Sequence, residues 1–218
     1  MSPAPPAPSP SASPRLPREP ARPRLAWAGQ PPQREAARER LLDAAARCIA
    51  RDGLTATGIA SVADEAGVSR PTVYRYFEDR DALVEAALHR AGMAQLAAMK
   101  AHLARFPTAE AQAVEAVLFA LREISGDPVL RQVWKAPLVE AEVVRRFSGP
   151  LALSLCADAL EGLSASASWS PAEAREAIET MLRFTLSLLL APEPHRGERA
   201  MHGYLRRRLV PALGLDRS

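Results

Sequence analysis

The sequence predicts an all-α protein, and three of its features support this fold class. Apolar residues make up 48% of the 218 residues, which is enough for a packed core. In the segments that follow the proline-rich start, they recur at the helical period, and runs of alternating Val, Ile and Thr typical of strands are missing from the sequence. Glycine and proline fall between the periodic segments, where helices end or begin. The chain should therefore fold as a succession of helices.

The first 33 residues differ in composition from the rest of the chain. Residues 1–33 hold most of the 20 prolines, and proline restricts φ and lacks an amide donor, so we expect a disordered, extended tail. Its arginines are Arg15, Arg18, Arg22 and Arg24. Residues 1–80 carry twelve arginines against nine acidic residues, whereas the remainder carries sixteen charges of each sign. The tail is either an inert extension or an arm that contacts nucleic-acid phosphates.

Two helices are predicted after the tail. The first runs from Arg34 to Gly53, a residue type that suits the position after a helix C-terminus. Its apolar stripe consists of Leu41, Leu42, Ala45, Cys48 and Ile49. Because Cys48 lies in this stripe, we expect a buried, unreactive thiol. The second helix is short, about residues 58–65, and Thr57 is available as its N-cap.

The segment after the second helix predicts a turn and a third helix. Gly67 ends the second helix, and Val68 follows as an apolar plug. Ser69 is expected to cap the third helix by accepting the N–H of Thr72. Pro71 falls in the first turn, where its missing donor costs nothing. A helix, a glycine turn and a capped helix together predict a helix-turn-helix.

The third helix, predicted over residues 70–77, has an inner and an outer face. Val73 and Phe77 are four residues apart, so both can point into the core. The outward side chains are Arg70, Thr72, Tyr74 and Arg75, followed by Tyr76 and Arg80. Guanidinium groups bind guanine edges or phosphates, and hydroxyl groups bind phosphate oxygens. This surface suits DNA; the alternative is a solvated polar face with an aromatic residue at its edge.

Residues 55–83, TATGIASVADEAGVSRPTVYRYFEDRDAL, resemble the TetR family of transcriptional regulators. The resemblance covers residues 34 to about 85. It implies that Arg70, Pro71, Thr72 and Tyr74 occupy the recognition helix, that Tyr76 contacts the DNA backbone and that Arg80 contacts a phosphate. The complete set of residues expected at DNA is Thr57, Ser69, Arg70, Pro71, Thr72, Tyr74, Arg75, Tyr76 and Arg80.

Two positions depart from the family pattern. Ala60 stands where relatives often carry an arginine that reaches a base from the preceding helix, and Gly58 replaces a common threonine. Base reading should therefore depend more on Arg70 and Arg75.

Beyond Arg80 the pattern predicts six more helices. Their ranges are about 79–104, 109–125, 128–136, 139–162 with a break near Gly149-Pro150, 171–191 and 195–212. Three starts carry clear signals: Asp79, Asp127 before Pro128, and Ser170-Pro171 with Glu173 completing a capping box.

The helix at 171–191 is apolar on all sides near its end, so several of its faces must be covered. A single chain or a second subunit could cover it. The resemblance implies that helices 171–191 and 195–212 form a two-fold four-helix interface, so we expect a homodimer. It also implies a small-molecule site among the helices over 79–162. The residues expected there are Met93, Leu96, Met99, Phe119, Trp134, Phe147 and Leu155, with simple core packing as the alternative for each of them alone.

Several classes of site are not supported by the sequence. Cys48 and Cys156 are too few for a disulfide framework, and the four histidines share no metal-ligand spacing with each other or with a cysteine. We therefore expect no metal and no cofactor. The longest apolar stretch, 181–191, is too short to span a bilayer, and no secretion signal is recognised, so a cytoplasmic protein is expected.

The sequence therefore predicts three regions: a tail at 1–33, a helix-turn-helix DNA-binding domain at 34–80, and a ligand-binding and dimerisation domain at 81–218. The expected function is a ligand-responsive homodimeric repressor that binds a palindromic double-stranded DNA operator and is released by a small hydrophobic effector. The alternatives are a helical enzyme or a protein-interaction module that retains a DNA-binding fold. Residue patterns for catalysis, such as a nucleophile with its base, are missing from the sequence, so we expect no enzyme.

Overall fold

The structure, a computed structural model, describes residues 31–135, 149–191 and 196–216, and within these ranges it contains helices and no strand. In chain order the helices are α1 (Pro31–Asp52), α2 (Ile59–Ala66), α3 (Arg70–Tyr74), α4 (Arg80–Leu103), α5 (Ala109–Phe119), α6 (Arg131–Lys135), α7 (Pro150–Ala159), α8 (Glu161–Ser166), α9 (Pro171–Leu190) and α10 (Glu198–Ala212). The predicted all-α class is confirmed. The predicted tail, apart from its last residues in α1, lies outside the described residues.

The helix bounds differ from the expected ones in several places. Helix α1 begins at Pro31, before the expected Arg34, and α3 ends at Tyr74, three residues early. Helix α5 passes into a π-helical segment, Ala120–Ile124, instead of continuing as an α-helix. The described part of the expected 139–162 helix begins at Pro150 and is interrupted at Leu160.

The three predicted helix starts contain the expected capping residues. Asp79 accepts the N–H of Ala82 at 2.8 Å and caps α4. Asp127 accepts the N–H groups of Val129 and Leu130, both at 2.8 Å, in a turn that leads into α6.

The capping box of α9 is complete. Ser170 Oγ accepts the N–H of Glu173 at 3.3 Å, and Glu173 Oε2 accepts the N–H of Ser170 at 2.8 Å. Hydrogen bonds from the Ser170 side chain and backbone hold the pKa of Glu173 below its usual range. These bonds satisfy amide groups that the start of a helix leaves without partners.

Two separate apolar cores organise the helices. The head core is formed by α1, α2, α3, the first half of α4 and Val129. The C-terminal core is formed by the second half of α4, α5 and the later helices. Helix α4 contributes to both, with Leu83 in the head core and Met99 in the C-terminal core.

Further contacts hold the head against α4 and the segment around α6. Arg90 of α4 donates to Glu39 Oε2 at 2.8 Å and lies 2.9 Å from Asp43 Oδ1, both on α1. Gln132 Nε2 of α6 donates to the carbonyl of Ala50, near the end of α1, at 3.2 Å. Val129 is buried in the head core although it lies more than 40 residues after its other members. The head is therefore attached to the rest of the described chain at two places, α4 and the turn before α6.

Candidate nucleic-acid interface

The turn between α2 and α3 sets the direction in which α3 leaves the head. Gly67 adopts a left-handed conformation with φ of 70°, which a side chain would disfavour. Its N–H and that of Val68 reach back to carbonyls at the end of α2, with Val68 N at 2.9 Å from Ala63 O. Val68 packs, partly buried, against the head core. This closed turn fixes α3 relative to α2.

Helix α3 begins at the expected cap but with a different hydrogen bond. Ser69 is the N-cap, yet its hydroxyl does not accept the N–H of Thr72 as predicted. That N–H is donated to the Ser69 backbone carbonyl at 2.9 Å, and the two hydroxyl groups lie 2.9 Å apart. The two hydroxyl groups therefore share a hydrogen bond that holds Ser69 and Thr72 together at the exposed start of α3.

The exposed side chains of α3 form one surface. Val73 is fully buried in the head core and anchors the helix. Arg70, Pro71 and Arg75 are exposed, and Tyr74 keeps 55% of its surface open. We call the side chains of residues 69–72 and 74–76 the recognition surface; Thr72 and Tyr76 are its half-buried members.

The charges on this surface lack acidic partners among the described residues. Arg70 forms no hydrogen bond or ion pair within those ranges, and Arg75 places its guanidinium 5.6 Å from the centre of the Tyr76 ring. Arg38 of α1 lies 5.3 Å from the centre of the buried Phe77 ring. Two exposed, unpaired guanidinium groups beside hydroxyl groups can bind phosphates and guanine edges.

Other arginines of the head are engaged elsewhere. Arg47 and Arg51 of α1 donate to the two carboxylate oxygens of Glu65 on α2, at 2.7 and 2.9 Å. These hydrogen bonds hold the pKa of Glu65 below its usual range. Arg51 also pairs with Asp52 at 2.9 Å. The arginine charges where α1 contacts α2 are therefore paired with carboxylates, whereas the arginines of the recognition surface are exposed and have no acidic partner among the described residues.

The structure changes the expected role of Thr57. Its side chain is fully buried, and its hydroxyl donates to the Gly53 carbonyl at 2.8 Å, so it is not available to DNA. It is also not the N-cap of α2, because that residue is Gly58. The N–H of Gly58 is donated to the hydroxyl of Ser61 at 3.0 Å, a contact that sequence inspection missed.

Arg80 also differs from its expected role as a phosphate contact. Its Nε donates to the carbonyl of Thr57 at 2.8 Å, Nη2 donates to the carbonyl of Leu54, and Nη1 contacts Asp81 at 2.7 Å. The guanidinium therefore points at the turn between α1 and α2. Three of its five N–H groups have partners inside the protein.

The five described residues that were expected to line a ligand pocket differ in position and burial. Met99 and Phe119 are buried in the C-terminal core, and Leu96 and Leu155 are half-buried. Met93 is 40% exposed and lines a recess of about 460 Å³ between α1 and α4. Phe147 and the side chain of Trp134 lie outside the described residues.

A larger cavity lies elsewhere in the described structure. It measures about 840 Å³, within the usual range for small-molecule sites, and lies between α4, α7, α8 and α9. None of the five described residues from the expected set lines it. Its apolar walls include Leu153, Ala157 and Ile178, and Lys100 at its edge contacts Glu161 at 3.1 Å. We call this space the α4–α9 groove.

A polar pair that sequence inspection missed lies beside the C-terminal core. His102 Nε2 is 3.1 Å from Glu115 Oε2, both side chains are largely buried, and Arg105 contacts His102 Nδ1. The imidazole ring lies 5.2 Å from the rings of both Phe106 and Phe119. The two polar residues lie 13 positions apart on different helices, so no local spacing signals the pair.

The cysteines and possible metal ligands of the described residues offer no reactive site. Cys48 is fully buried, as predicted, and burial raises the pKa of its thiol. Burial also raises the pKa of Cys156 to about 11. No group of three His, Cys, Asp or Glu side chains in the described ranges could hold a metal ion. None of the described helices is both long enough and apolar enough to cross a membrane.

Comparison with known proteins connects this geometry to a family. A family model for bacterial regulatory proteins of the tetR family matches residues 41–87. The BetI transcriptional regulator of Burkholderia thailandensis is 35% identical over 154 residues, which are 66% of this chain and 75% of that protein. The matched family and this relative are transcriptional regulators, a class of protein that is not enzymatic.

Solved structures share the fold. AlkX of Dietzia sp., a TetR family repressor implicated in biodegradation of n-alkanes, has a TM-score of 0.60 and 22% identity, over 81% of this chain and 95% of that chain. FadR of Bacillus subtilis in complex with stearoyl-CoA has a TM-score of 0.54 and 18% identity, over 80% of this chain and 96% of that chain. At these identities the likeness is one of fold alone.

Proposed function

This chain belongs to the TetR family of transcriptional regulators, and from that premise we propose that it is a homodimeric repressor, released from a palindromic operator by a small apolar effector. We propose that residues 34–80 read DNA, with residues 1–33 as a preceding tail, and that residues 81–218 bind the effector and the second subunit. The observation that carries this proposal is the recognition surface on α3. It combines two unpaired arginines with hydroxyl groups on a helix that the rest of the head holds in place.

The proposed contacts divide into two kinds. Arg70 and Arg75 are suited to guanine edges in the major groove, where bidentate contacts distinguish bases. Ser69, Thr72, Tyr74 and Tyr76 offer hydroxyl groups to phosphate oxygens, and Pro71 offers an apolar contact to a thymine methyl group. Thr57 and Arg80 are left out of this set because their polar groups bind the α1–α2 turn.

The apolar face of α9 supports assembly as a dimer. Within one chain Leu189 is half-buried and Leu190 keeps 37% of its surface exposed, so this end of α9 is not fully covered by the described residues. Phe184 and Tyr204, whose ring centres are 5.9 Å apart, pack α9 against α10. A second copy related by two-fold symmetry would cover this face and present two recognition helices to DNA.

The α4–α9 groove is the proposed effector site. Its apolar walls suit an apolar molecule, and the stearoyl-CoA bound by a FadR of the same fold supports that class. Lys100 at the groove and Arg80 at the head lie about 30 Å apart along α4, at about 1.5 Å per residue. We propose that the effector displaces α4 and thereby changes the separation of the two heads. An effector can do this only if it binds the released state more tightly.

One experiment tests the DNA part of the proposal. The purified full chain selects from a random library of duplex DNA, and the enriched sites are sequenced. We expect inverted repeats with half-sites about 34–36 Å apart or a multiple of that distance. Enrichment of sequences without two-fold symmetry, or no enrichment, would contradict the proposal.

Light scattering tests the assembly. Leu190→Glu should give monomers that lose the selected operator, because it puts a charge in an apolar interface. Ala172→Glu, on the exposed first turn of the same helix, is the matched control and should remain dimeric. If Leu190→Glu is as dimeric as the control, the interface lies elsewhere.

A further inference from the structure

The turn between α1 and α2 depends on a side chain from α4. Gly53 has φ of 86°, and its carbonyl accepts both the hydroxyl of Thr57, at 2.8 Å, and the N–H of Thr57, at 3.3 Å. The carbonyls of Leu54 and Thr57 instead accept N–H groups of Arg80, which lies 26 and 23 residues further along the chain. Arg80 is the first residue of α4.

The position of the Thr57 carbonyl matters for DNA reading. The peptide that carries it joins Thr57 to Gly58, the N-cap of α2, and α2 leads through Gly67 into α3. A hydrogen bond to the Thr57 carbonyl therefore fixes the start of α2, and α2 in turn positions α3 and its recognition surface. Because α4 also lines the α4–α9 groove through Lys100, one helix touches both the groove and the α1–α2 turn.

We propose that Arg80 is a positioning residue, which fixes the α1–α2 turn to the first turn of α4 so that a displacement of α4 also moves α2. This inference rests on the proposed operator binding. It assigns Arg80 to the geometry of the head and not to the neutralisation of a phosphate.

The chemistry of the contact requires arginine. A guanidinium is a planar fork that donates from Nε and Nη2 in fixed directions, so it can hold two carbonyls at once. Lysine has a single ammonium group on a flexible stem and cannot reproduce this geometry. The ion pair with Asp81 adds little, because the Asp81 side chain is 85% exposed and that of Arg80 is 40% exposed.

The test compares Arg80→Lys, Arg80→Gln and the control Arg75→Ala for operator affinity over a range of salt concentrations. If Arg80 is a positioning residue, the lysine variant should bind roughly tenfold more weakly or worse, as the glutamine variant does, because both lose the fork. The slope of log affinity against log salt should stay near the wild-type value for Arg80→Lys and Arg80→Gln. Arg75→Ala, which removes a proposed base contact, should instead lower affinity about tenfold or more and relax the preference at one base position.

Nuclear magnetic resonance supplies a second readout that needs no DNA. The amide signals of Gly53 and Gly58 should shift in both Arg80 variants and remain in place in Arg75→Ala. In the unmodified protein the Arg80 Nε–H should exchange slowly with solvent, which tests the contact even if a variant folds poorly. Wild-type affinity in Arg80→Lys, a slope lowered by about 0.9 in Arg80→Gln, or fast exchange of the Nε–H would each overturn the inference.

The two proposals fail in different ways. If the wild type enriches no DNA in the selection, operator binding is wrong, while the amide and Nε–H measurements still decide whether Arg80 fixes the turn. If the wild type binds and Arg75→Ala behaves as expected but Arg80→Lys is unaffected, only the role of Arg80 is wrong.

Discussion

The head core and the C-terminal core contain similar apolar residues but are assembled from different ranges of the sequence. All members of the head core except Val129 come from residues 41–87, and Gly53 and Gly67 fix its turns. The one buried polar side chain among the described residues of the head is Thr57, whose hydroxyl donates to the Gly53 carbonyl. The C-terminal core draws on residues from Met99 to Leu213. The head is therefore specified mainly by residues close together in the sequence, whereas the C-terminal core depends on contacts between distant segments.

The two cores also differ in the buried polar groups that lie within or beside them. Gln112 is 7% exposed and lies within α5; its Nε2 donates to the Phe106 carbonyl at 2.8 Å, but its Oε1 has no partner among the described residues. His102 and Glu115 form a largely buried pair nearby. Helix α5 then passes into π-helical geometry at Ala120–Ile124, a feature found often at functional sites. An interior with an unsatisfied acceptor and irregular geometry is better suited to change shape than the head.

The largest expected effect comes from removing one buried leucine in each core. Leu41→Ala in the head and Leu205→Ala in the C-terminal core should each cost about 2–5 kcal/mol, because both side chains are fully buried. Urea unfolding, followed by a separate signal from each core, should show a lower midpoint for both variants. Each variant should lower the midpoint of the core that carries the substitution more than that of the other core. If both variants shift one common transition equally, the two cores are a single cooperative unit.

A smaller effect separates reading from response. Arg70→Ala should lower operator affinity by about 1–3 kcal/mol and relax one base position, because a bidentate base contact is lost.

Ser154→Trp fills the α4–α9 groove from an exposed position and should leave operator affinity unchanged. It should abolish the release of operator by apolar ligands found in a thermal-shift screen.

The control is Ala165→Trp, an exposed residue of α8 outside the groove lining, which should keep the response. Anisotropy titrations of labelled operator measure both effects. Normal release in Ser154→Trp would place the effector elsewhere.

Helix caps give the next effect, and here the two regions should behave alike. Asp79→Ala at α4 and Ser170→Ala at α9 each remove a side chain that accepts an N–H in the first turn, which costs about 1 kcal/mol. Thermal unfolding measures the loss. Asp79→Asn and Ser170→Thr are matched controls that keep an acceptor, and equal losses in the control and alanine variants would argue against capping as the cause.

The smallest effect concerns two glutamates whose lowered pKa values have different causes. Arg47 and Arg51 lower the pKa of Glu65, whereas the Ser170 side chain and backbone lower that of Glu173. Each carboxylate stabilises the folded protein above its unfolded pKa, and this stability is lost as pH falls through the folded pKa. Added salt should raise the pKa of Glu65 toward its ordinary value and leave Glu173 nearly unchanged, because only Glu65 is held by charges.

Carboxylate chemical shifts titrated at low and high salt would measure both groups. Glu65→Gln and Glu173→Gln confirm the assignments by removing one titration each. Equal responses to salt would show that the distinction between ionic and neutral partners does not hold.

The sequence predicted most where the signals are local. The all-helical class, the turn at Gly67, the N-cap position of Ser69 and the buried Val73 follow from residue types within a few positions of each other, and the structure agrees, although the predicted side-chain cap bond of Ser69 is replaced by a backbone bond. Thr57 was expected as the N-cap of α2, but the cap position falls one residue later, at Gly58, and the Thr57 hydroxyl instead donates to the carbonyl of Gly53.

Longer-range features could not be predicted in this way. The resemblance implied a phosphate contact for Arg80, whereas nothing near Arg80 in the sequence reveals the carbonyls that accept its N–H groups 23 and 26 residues earlier. The described ligand candidates do not line the α4–α9 groove, and the sequence alone cannot place them, because an apolar residue such as Phe119 fits a core as well as a pocket and only the packing of distant helices decides. Residues close together in the sequence therefore determine most of the head, whereas the packing of distant helices determines the α4–α9 groove.

The shortness of α3 has a consequence for how this protein can evolve. Val73 alone among its five residues is buried, so most of the helix contributes little to packing. Substitutions at exposed positions such as Arg70 and Tyr74 typically change stability by less than about 0.5 kcal/mol. A duplicated copy of the gene can therefore acquire a new target sequence by a few substitutions in α3 while the inherited fold stays intact.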